Sequence, residues 1–364
     1  MAGPLAGLLI VEMAGLGPGP FTATMLADHG ARVIRVERPG NLAVPNDPLT
    51  RNRESIALDL KQEDGRAVVR QLIERADGLV EGYRPGVMEK LGLGPDALLG
   101  INPKLVYGRV TGWGQDGPLA QEAGHDINYL ALTGLLSCIG EADRPPVPPL
   151  NLVADYGGGG LMLAFGMVAA LLAVRRGEAG QVVDAAMTDG AALTGALIYG
   201  LRAAGAWRDR RGANLLDGGD PLYACYRCAD GESLALGAVE PQFRRALLEG
   251  LGLTAGSPTK QEVAAAVATR SRDEWSEVFA GKDACVAPVL RLHEAAEHPH
   301  NQARGTFIAL DGVVQPAPAP RFSRASADPL RPPRREGEDG TAILAELGYA
   351  AEETAALYEK GVLR

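Results

Sequence analysis

The sequence predicts an α/β protein: a Rossmann-like, doubly wound parallel sheet in a large domain, plus a smaller α+β domain. Three observations carry this. Short apolar segments alternate with stretches of helical periodicity through the first half of the chain, the pattern of a parallel sheet with crossover helices. The composition then changes twice, at the Arg-, Asp- and Gly-rich Trp207 to Pro221 and at the Pro-rich Val313 to Arg335. The length of 364 residues matches roughly two domains and suffices for a sizeable core.

The elements follow in order. Leu8 to Val11 is a short apolar strand, the Gly- and Pro-rich loop Ala14 to Pro20 leads into a helix through Met25 and Leu26, and Arg32 to Val36 is the next strand. Gly15, Gly17 and Gly19 lack the GxGxxG spacing, which argues against a dinucleotide site and leaves a tight loop that admits a backbone or ligand. From Asp64 to Asp77 the apolar positions Val68, Val69, Leu72, Ile73 and Ala76 fall on one helical face, and Gly78 to Glu81 and Leu105 to Arg109 return as strands. In such sheets ligands gather at the carboxyl ends of the strands. Pro149 to Ala154 reads as extended and ends at Asp155, with Gly157 to Gly160 opening an apolar helix that closes at Arg175 to Gly177. The apolar run Leu161 to Val174 is shorter than the roughly 20 residues a bilayer needs and is expected as a buried core helix, so no membrane association is expected. Val182 to Ala185 adds a strand. The expected division is a large domain over 1–190, a linker over 191–221, a small domain over 222–307, a Pro-rich linker over 308–335, and helices over 336–364 returning to the first domain. In the small domain the turn at Asp230 precedes the strand Leu234 to Val239, with Glu240 at its end.

A net charge of −9 excludes nucleic-acid binding through a diffuse basic surface, which needs surplus Lys and Arg. No basic, apolar leader opens the sequence, so a cytoplasmic location is the expectation. The four cysteines Cys138, Cys225, Cys228 and Cys285 include one CxxC but no second pair or spaced His pair, so free thiols are expected and no metal site. His298 and His300 flank a proline and read as a turn.

The chemistry concentrates in Gly124 to Tyr129 (Gly-His-Asp-Ile-Asn-Tyr) and in Asp155. A lone His is usually a hydrogen-bonded structural residue, and Asp155 before a glycine run reads equally as a helix N-cap. Together they are parts for moving protons. Arg32, Arg35, Arg38, Arg51, Arg53, Lys61, Arg84 and Lys90 are concentrated in the same half. Several sit just after strands, where a phosphate-bearing ligand is received, a solvated face being the alternative.

These stretches, with Leu5 to Gly7, Gly17 to Pro20, Leu26 to Arg32, Thr111 to Gly114, Leu150 to Asp155, Gly180 to Asp184, Asn214 to Gly219 and Val239 to Phe243, resemble the α-methylacyl-CoA racemases of the family III CoA-transferase superfamily, in family order over nearly the whole chain. The resemblance implies an acyl-CoA substrate with no cofactor beyond the CoA it carries. It also implies an interlocked homodimer whose active sites lie between the large domain of one chain and the small domain of the other. His125 and Asp155 match the acid/base pair, and Glu240 the carboxylate that orients His125. Gly124, Asp126, Ile127, Asn128 and Tyr129 line the thioester, and the backbone N–H of Asp126 is the expected donor to an enolate oxygen. Arg38, Leu58, Asp59, Leu60, Lys61 and Arg84 match positions that receive CoA, and Lys90 stands where some relatives have Arg. The implied activity is interconversion of (2R)- and (2S)-2-methylacyl-CoA. The alternatives are CoA transfer with Asp155 as nucleophile and a non-catalytic CoA-binding scaffold.

Overall fold

Alternation of apolar strands and amphipathic helices produces the expected parallel sheet. The computed structural model describes residues 3–40, 47–254, 256–325 and 329–364, in two compact units. The first takes in Met1–Thr133, Leu150–Thr194 and Gly305–Arg364, and the second Gly134–Pro149 and Gly195–Arg304. The second unit therefore begins before residue 222 and includes a segment, 134–149, that composition had not set apart.

In the first unit the order is β1 (Leu9–Met13), α1 (Pro18–Asp28), β2 (Arg32–Glu37), β3 (Arg53–Ala57), α2 (Glu63–Arg75), β4 (Gly78–Glu81), α3 (Val87–Lys90), α4 (Pro95–Ile101), β5 (Val106–Thr111), α5 (Asp126–Leu132), a π-helical stretch (Leu152–Leu161), α6 (Met162–Arg175), β6 (Gln181–Ala186) and α7 (Met187–Thr194). The strand order is β3-β2-β1-β4-β5-β6, and every neighbouring pair is parallel. Order reverses between β1 and β4, so the loops leaving those two strands part at their carboxyl ends and open a crevice. β1, β2 and β4 are almost wholly buried, as strands covered on both faces must be. α2 turns Val68, Val69, Leu72 and Ile73 onto Val11, Ile34, Ile56 and Leu79 in one core. Its acidic first turn and its last-turn Arg75 suit the helix dipole.

Three features depart from the sequence reading. β3 was not anticipated, because it begins with Arg-Glu-Ser. The Pro-rich segment carries a strand, Val313–Pro316, paired antiparallel with Phe307–Leu310, and the Asn52 backbone N–H donates to Arg331 O while the Arg331 N–H donates to the Asn52 side-chain Oδ1. Its prolines thus shape a segment attached to the first unit as well as spacing the chain; residues 326–328 of it lie outside the described residues. The helical run Leu152–Arg175 is 24 residues, long and apolar enough by length and composition to cross a membrane. Leu163, Met167 and Leu171 are buried while Phe165, at 74% exposure, Val168 and Leu172 are exposed. A core helix was expected; only one face of it is core.

The second unit holds α8 (Ala196–Ala203), β7 (Tyr223–Arg227), β8 (Ser233–Gly237), α9 (Pro241–Leu251), α10 (Lys260–Val267), α11 (Arg272–Phe279) and β9 (Val286–Val289). Its sheet is antiparallel in the order β7-β8-β9, and Leu234, Leu236, Leu247, Val263 and Trp275 form its core. The four cysteines are free thiols, and no cluster of metal-ligating side chains occurs among the described residues. His300 lies in a short helix, Pro299–Arg304, and not in a turn.

The buried start of β3 explains why charge there does not forbid a strand. Arg53 Nη1 donates to both carboxylate oxygens of Glu12 on β1, at 2.9 and 2.7 Å, and Nη2 donates to Pro20 O and Thr24 Oγ1 on α1. Both side chains are essentially inaccessible, so each charge depends on the other for solvation. Arg53→Leu is expected to cost about 3–5 kcal/mol in denaturant unfolding, and Glu12→Leu/Arg53→Leu together to recover much of it. A double variant as unstable as the sum of the singles would contradict this coupling.

Candidate active site

His125 immediately precedes α5. Its backbone N–H donates to Asn128 Oδ1 at 3.1 Å, and its carbonyl accepts from the N–H groups of Asn128 and Tyr129. The N–H groups of Asp126 and Ile127, at the first two helical positions, have no intrahelical acceptor, as at any helix start. Tyr129 anchors this turn. Its ring stands edge-on to Trp113 at 4.8 Å and its hydroxyl donates to Gly124 O. A Cβ on Gly112 would lie 2.1 Å, and one on Gly124 2.7 Å, from the Tyr129 ring. Those two glycines make the slot that the ring fills, leaving the His125 side chain exposed.

Asp155 does not end an extended segment as expected; it lies inside the π-helical stretch. The neighbouring glycines permit the placement. A Cβ on Gly158 would lie 2.5 Å from Ala191 N, and one on Gly190 of α7 would lie 1.9 Å from Gly158 O. A Cβ on Gly159 would lie 3.2 Å from Pro18 of α1, and one on Gly160 2.7 Å from the Phe21 ring. The glycine run is therefore a packing surface between helices, and the widened turn carries Asp155 towards the loop after β1, where a Cβ on Gly17 would sit 3.6 Å from Asp155 Oδ2. Gly17 has φ +69°, a conformation open to glycine.

Asp126 ties the two segments together. Its Oδ2 accepts from the backbone N–H groups of Ala154 at 2.7 Å and Asp155 at 2.8 Å. The Asp155 carboxyl is pushed up from its ordinary 3.8, first by burial and then by the negative charge of Asp126, while a hydrogen bond from Asn151 and the charge of His125 oppose the shift. Burial, and then the charge of Asp155, likewise raise the Tyr129 hydroxyl. His125, Asp126, Tyr129 and Asp155 thus form one electrostatic group.

A cleft of about 290 Å³ runs along the carboxyl ends of β4 and β5, lined by Gly82 to Pro85, Val110 to Trp113, Gly124, His125 and Tyr129. Arg84 is here, with His125. Thr111 Oγ1 and Trp113 Nε1 are buried there without protein partners. A second cleft of about 160 Å³ brings Arg38, Asp59 and Lys61 together with Gly361 and Arg364. The Asp59 carboxyl is held down, chiefly by the backbone N–H of Lys61. Leu58 is buried in the core with its backbone paired to Leu363, while Leu60 is half-buried against the same core. Lys90 is exposed at the end of α3 and lines neither cleft. Ile127 and Asn128 are exposed on the first turn of α5. Glu240 is in the second unit, exposed at the start of α9. Sequence reasoning gave Asn151, Thr111, Trp113 and Arg364 no role, and gave Asp126 one through its backbone N–H without foreseeing its side-chain bonds. Asn151 lies in the matching stretch Leu150 to Asp155, and Thr111 and Trp113 in Thr111 to Gly114, whereas Arg364 gave no signal.

The glycine packing is testable. Gly190→Ala is expected to cost roughly 1–3 kcal/mol by overpacking, whereas Gly200→Ala in α8, where nothing lies within 4 Å, is expected to be neutral or slightly stabilising. Thermal unfolding of the two variants distinguishes them, and equal effects would contradict the close approach.

The model of CoA-transferase family III matches residues 5–340. The α-methylacyl-CoA racemase of Mus musculus is 46% identical over 99% of this chain and 97% of its own length, and that of Homo sapiens is 46% identical over 96% and 94%. A crystal structure of a CAIB/BAIF family protein from Brucella suis superposes with a TM-score of 0.83 at 27% identity, covering 95% of this chain and all of that one. The family model and the full-length similarity agree: the chain belongs to CoA-transferase family III.

Proposed function

We propose that this protein interconverts (2R)- and (2S)-2-methylacyl-CoA thioesters. The observation that carries the reading is the joining of His125 and Asp155 through Asp126, with the Asp155 carboxyl raised above its ordinary value by burial and by the charge of Asp126. The 46% identity to relatives named α-methylacyl-CoA racemase supports the substrate class.

Inversion requires removal of the α-proton from one face and return of a proton to the other, so two groups must flank the carbon, one ionised and one protonated. His125 serves one face and Asp155 the other. The thioester carbonyl becomes an enolate, and the free N–H groups at the start of α5, Asp126 first, are placed to receive its oxygen; one such donor contributes on the order of 3 kcal/mol. CoA makes the α-proton acidic, so the scheme uses no further cofactor. Arg38, Lys61 and Arg84 receive the phosphates and the pantetheine arm, with Lys90 as an outlying charge, and Thr111 and Trp113 offer hydrogen bonds along the cleft. Glu240 acts from the partner subunit of an interlocked homodimer to orient His125. The exposed apolar side chains Phe165, Val168 and Leu172 on the outer face of α6 support such a dimer, since contiguous exposed apolar surface often marks an interface.

Chiral chromatography of a 2-methylacyl-CoA after incubation tests the reading, with a free carboxylic acid present as a possible CoA acceptor. Native protein is expected to bring either epimer to the same mixture, and His125→Ala and Asp155→Ala each to lose at least about a hundredfold in kcat. The sign of the pH dependence follows from the raised Asp155 carboxyl. Proton removal by ionised Asp155 is expected to develop at a pH above the ordinary carboxylate value of 3.8, and proton return by the acid form to persist there. Transfer of CoA to the added acid without epimerisation would instead make Asp155 the nucleophile of a CoA transferase.

A further inference from the structure

The Asp126 side chain is a buried carboxylate, 4% exposed, and no Lys, Arg or His pairs with it among the described residues. Oδ2 accepts from two consecutive backbone N–H groups, while Oδ1 is buried with no hydrogen-bond partner. An asparagine would accept the same two bonds through its amide oxygen without burying a charge. The retained charge therefore points to a use beyond holding the backbone.

We propose that the Asp126 side chain is the positioning residue of the site: its carboxylate holds the backbone of Ala154 and Asp155, placing the Asp155 carboxyl to face His125, and its uncompensated charge sets the protonation of Asp155. The proposal deepens the racemase reading and rests on it for its catalytic half. It assigns to the side chain a role separate from that of the Asp126 N–H, which faces the developing enolate.

The charges around Asp155 leave Asp126 as its principal charged neighbour. His125 acts on it in the opposite sense and Asn151 donates to it. From α5, Tyr129 also faces it, itself influenced by Arg84. On the other packed elements the charges are committed elsewhere. Asp28 of α1 pairs with Arg51, and Arg109 of β5 pairs with Glu81 and Glu89. Asp189 of α7 and Asp184 of β6 act on one another. A like charge at close range disfavours ionisation, so Asp126 favours the acid form of Asp155.

Two variants separate holding from charge. Asp126→Asn keeps the acceptor and removes the charge, whereas Asp126→Ala removes both. The pH profile of epimerisation is measured for each, together with NMR titration of the Asp155 carboxyl carbon, assigned by its loss in Asp155→Asn. In Asp126→Asn the Asp155 titration and the acid limb of the profile are expected to move together to lower pH, with the melting temperature little changed. Asp126→Ala is expected to lose on the order of a hundredfold in kcat, the effect of misplacing a reacting group by about 1 Å, with KM nearly unchanged because the CoA contacts lie elsewhere. An Asp155 titration unmoved in Asp126→Asn would overturn the proposal whatever the activity. A native protein that does not epimerise, yet whose Asp155 titration moves in Asp126→Asn, would overturn the racemase reading and the catalytic half while upholding the electrostatic role.

Discussion

The approach of two helical backbones at Gly158 and Gly190 is the constraint on which the site depends. With a Cβ at Gly190 only 1.9 Å from Gly158 O, any side chain there would force α7 and the π-helical stretch apart. Because the stretch is held that close, Asp155 reaches the loop after β1, and the N–H groups of Ala154 and Asp155 meet the carboxylate beside His125. A packing rule about glycine thus becomes a statement about which proton-carrying groups share a surface.

Burial of charge follows a similar logic elsewhere in the first unit. Glu12 and Arg53, Asp28 and Arg51, and Glu81 and Arg109 are all buried or nearly so. Such pairs are weak evidence for stability, since apolar replacements are often as stable. Their geometric effect is clearer: Arg53 joins β1, β3 and α1, fixing the edge strand relative to the loop that reaches Asp155.

Much of the fold was legible because its signals are local. The apolar runs of β1, β2, β4 and β5 and the one-sided face of α2 are periodic patterns that survive without knowledge of their partners. β3 was not legible, because Arg53 reads as a surface residue until Glu12 is placed opposite it. The π-helical stretch was hidden for a related reason: glycines normally weaken a helix, and only the proximity of α1 and α7 explains their use. The site divides the same way. His125 and Asp155 could be named from residue type and family resemblance. The Asp126 carboxylate stands in the same motif, but its hold on Ala154 and Asp155 was hidden, because those partners lie 28 and 29 residues away.

If His125 and Asp155 serve opposite faces of one carbon, proton NMR in deuterium oxide will separate their roles. Each epimer of a 2-methylacyl-CoA would be incubated separately with native protein, His125→Ala and Asp155→Ala, following loss of the α-proton at early times. Exchange with epimerisation is expected from both epimers in the native protein. Each variant should retain proton wash-out from one epimer only, a different one in the two variants, without epimerisation. Wash-out confined to the same epimer in both variants, or a native protein that exchanges no α-proton, would contradict that division of roles.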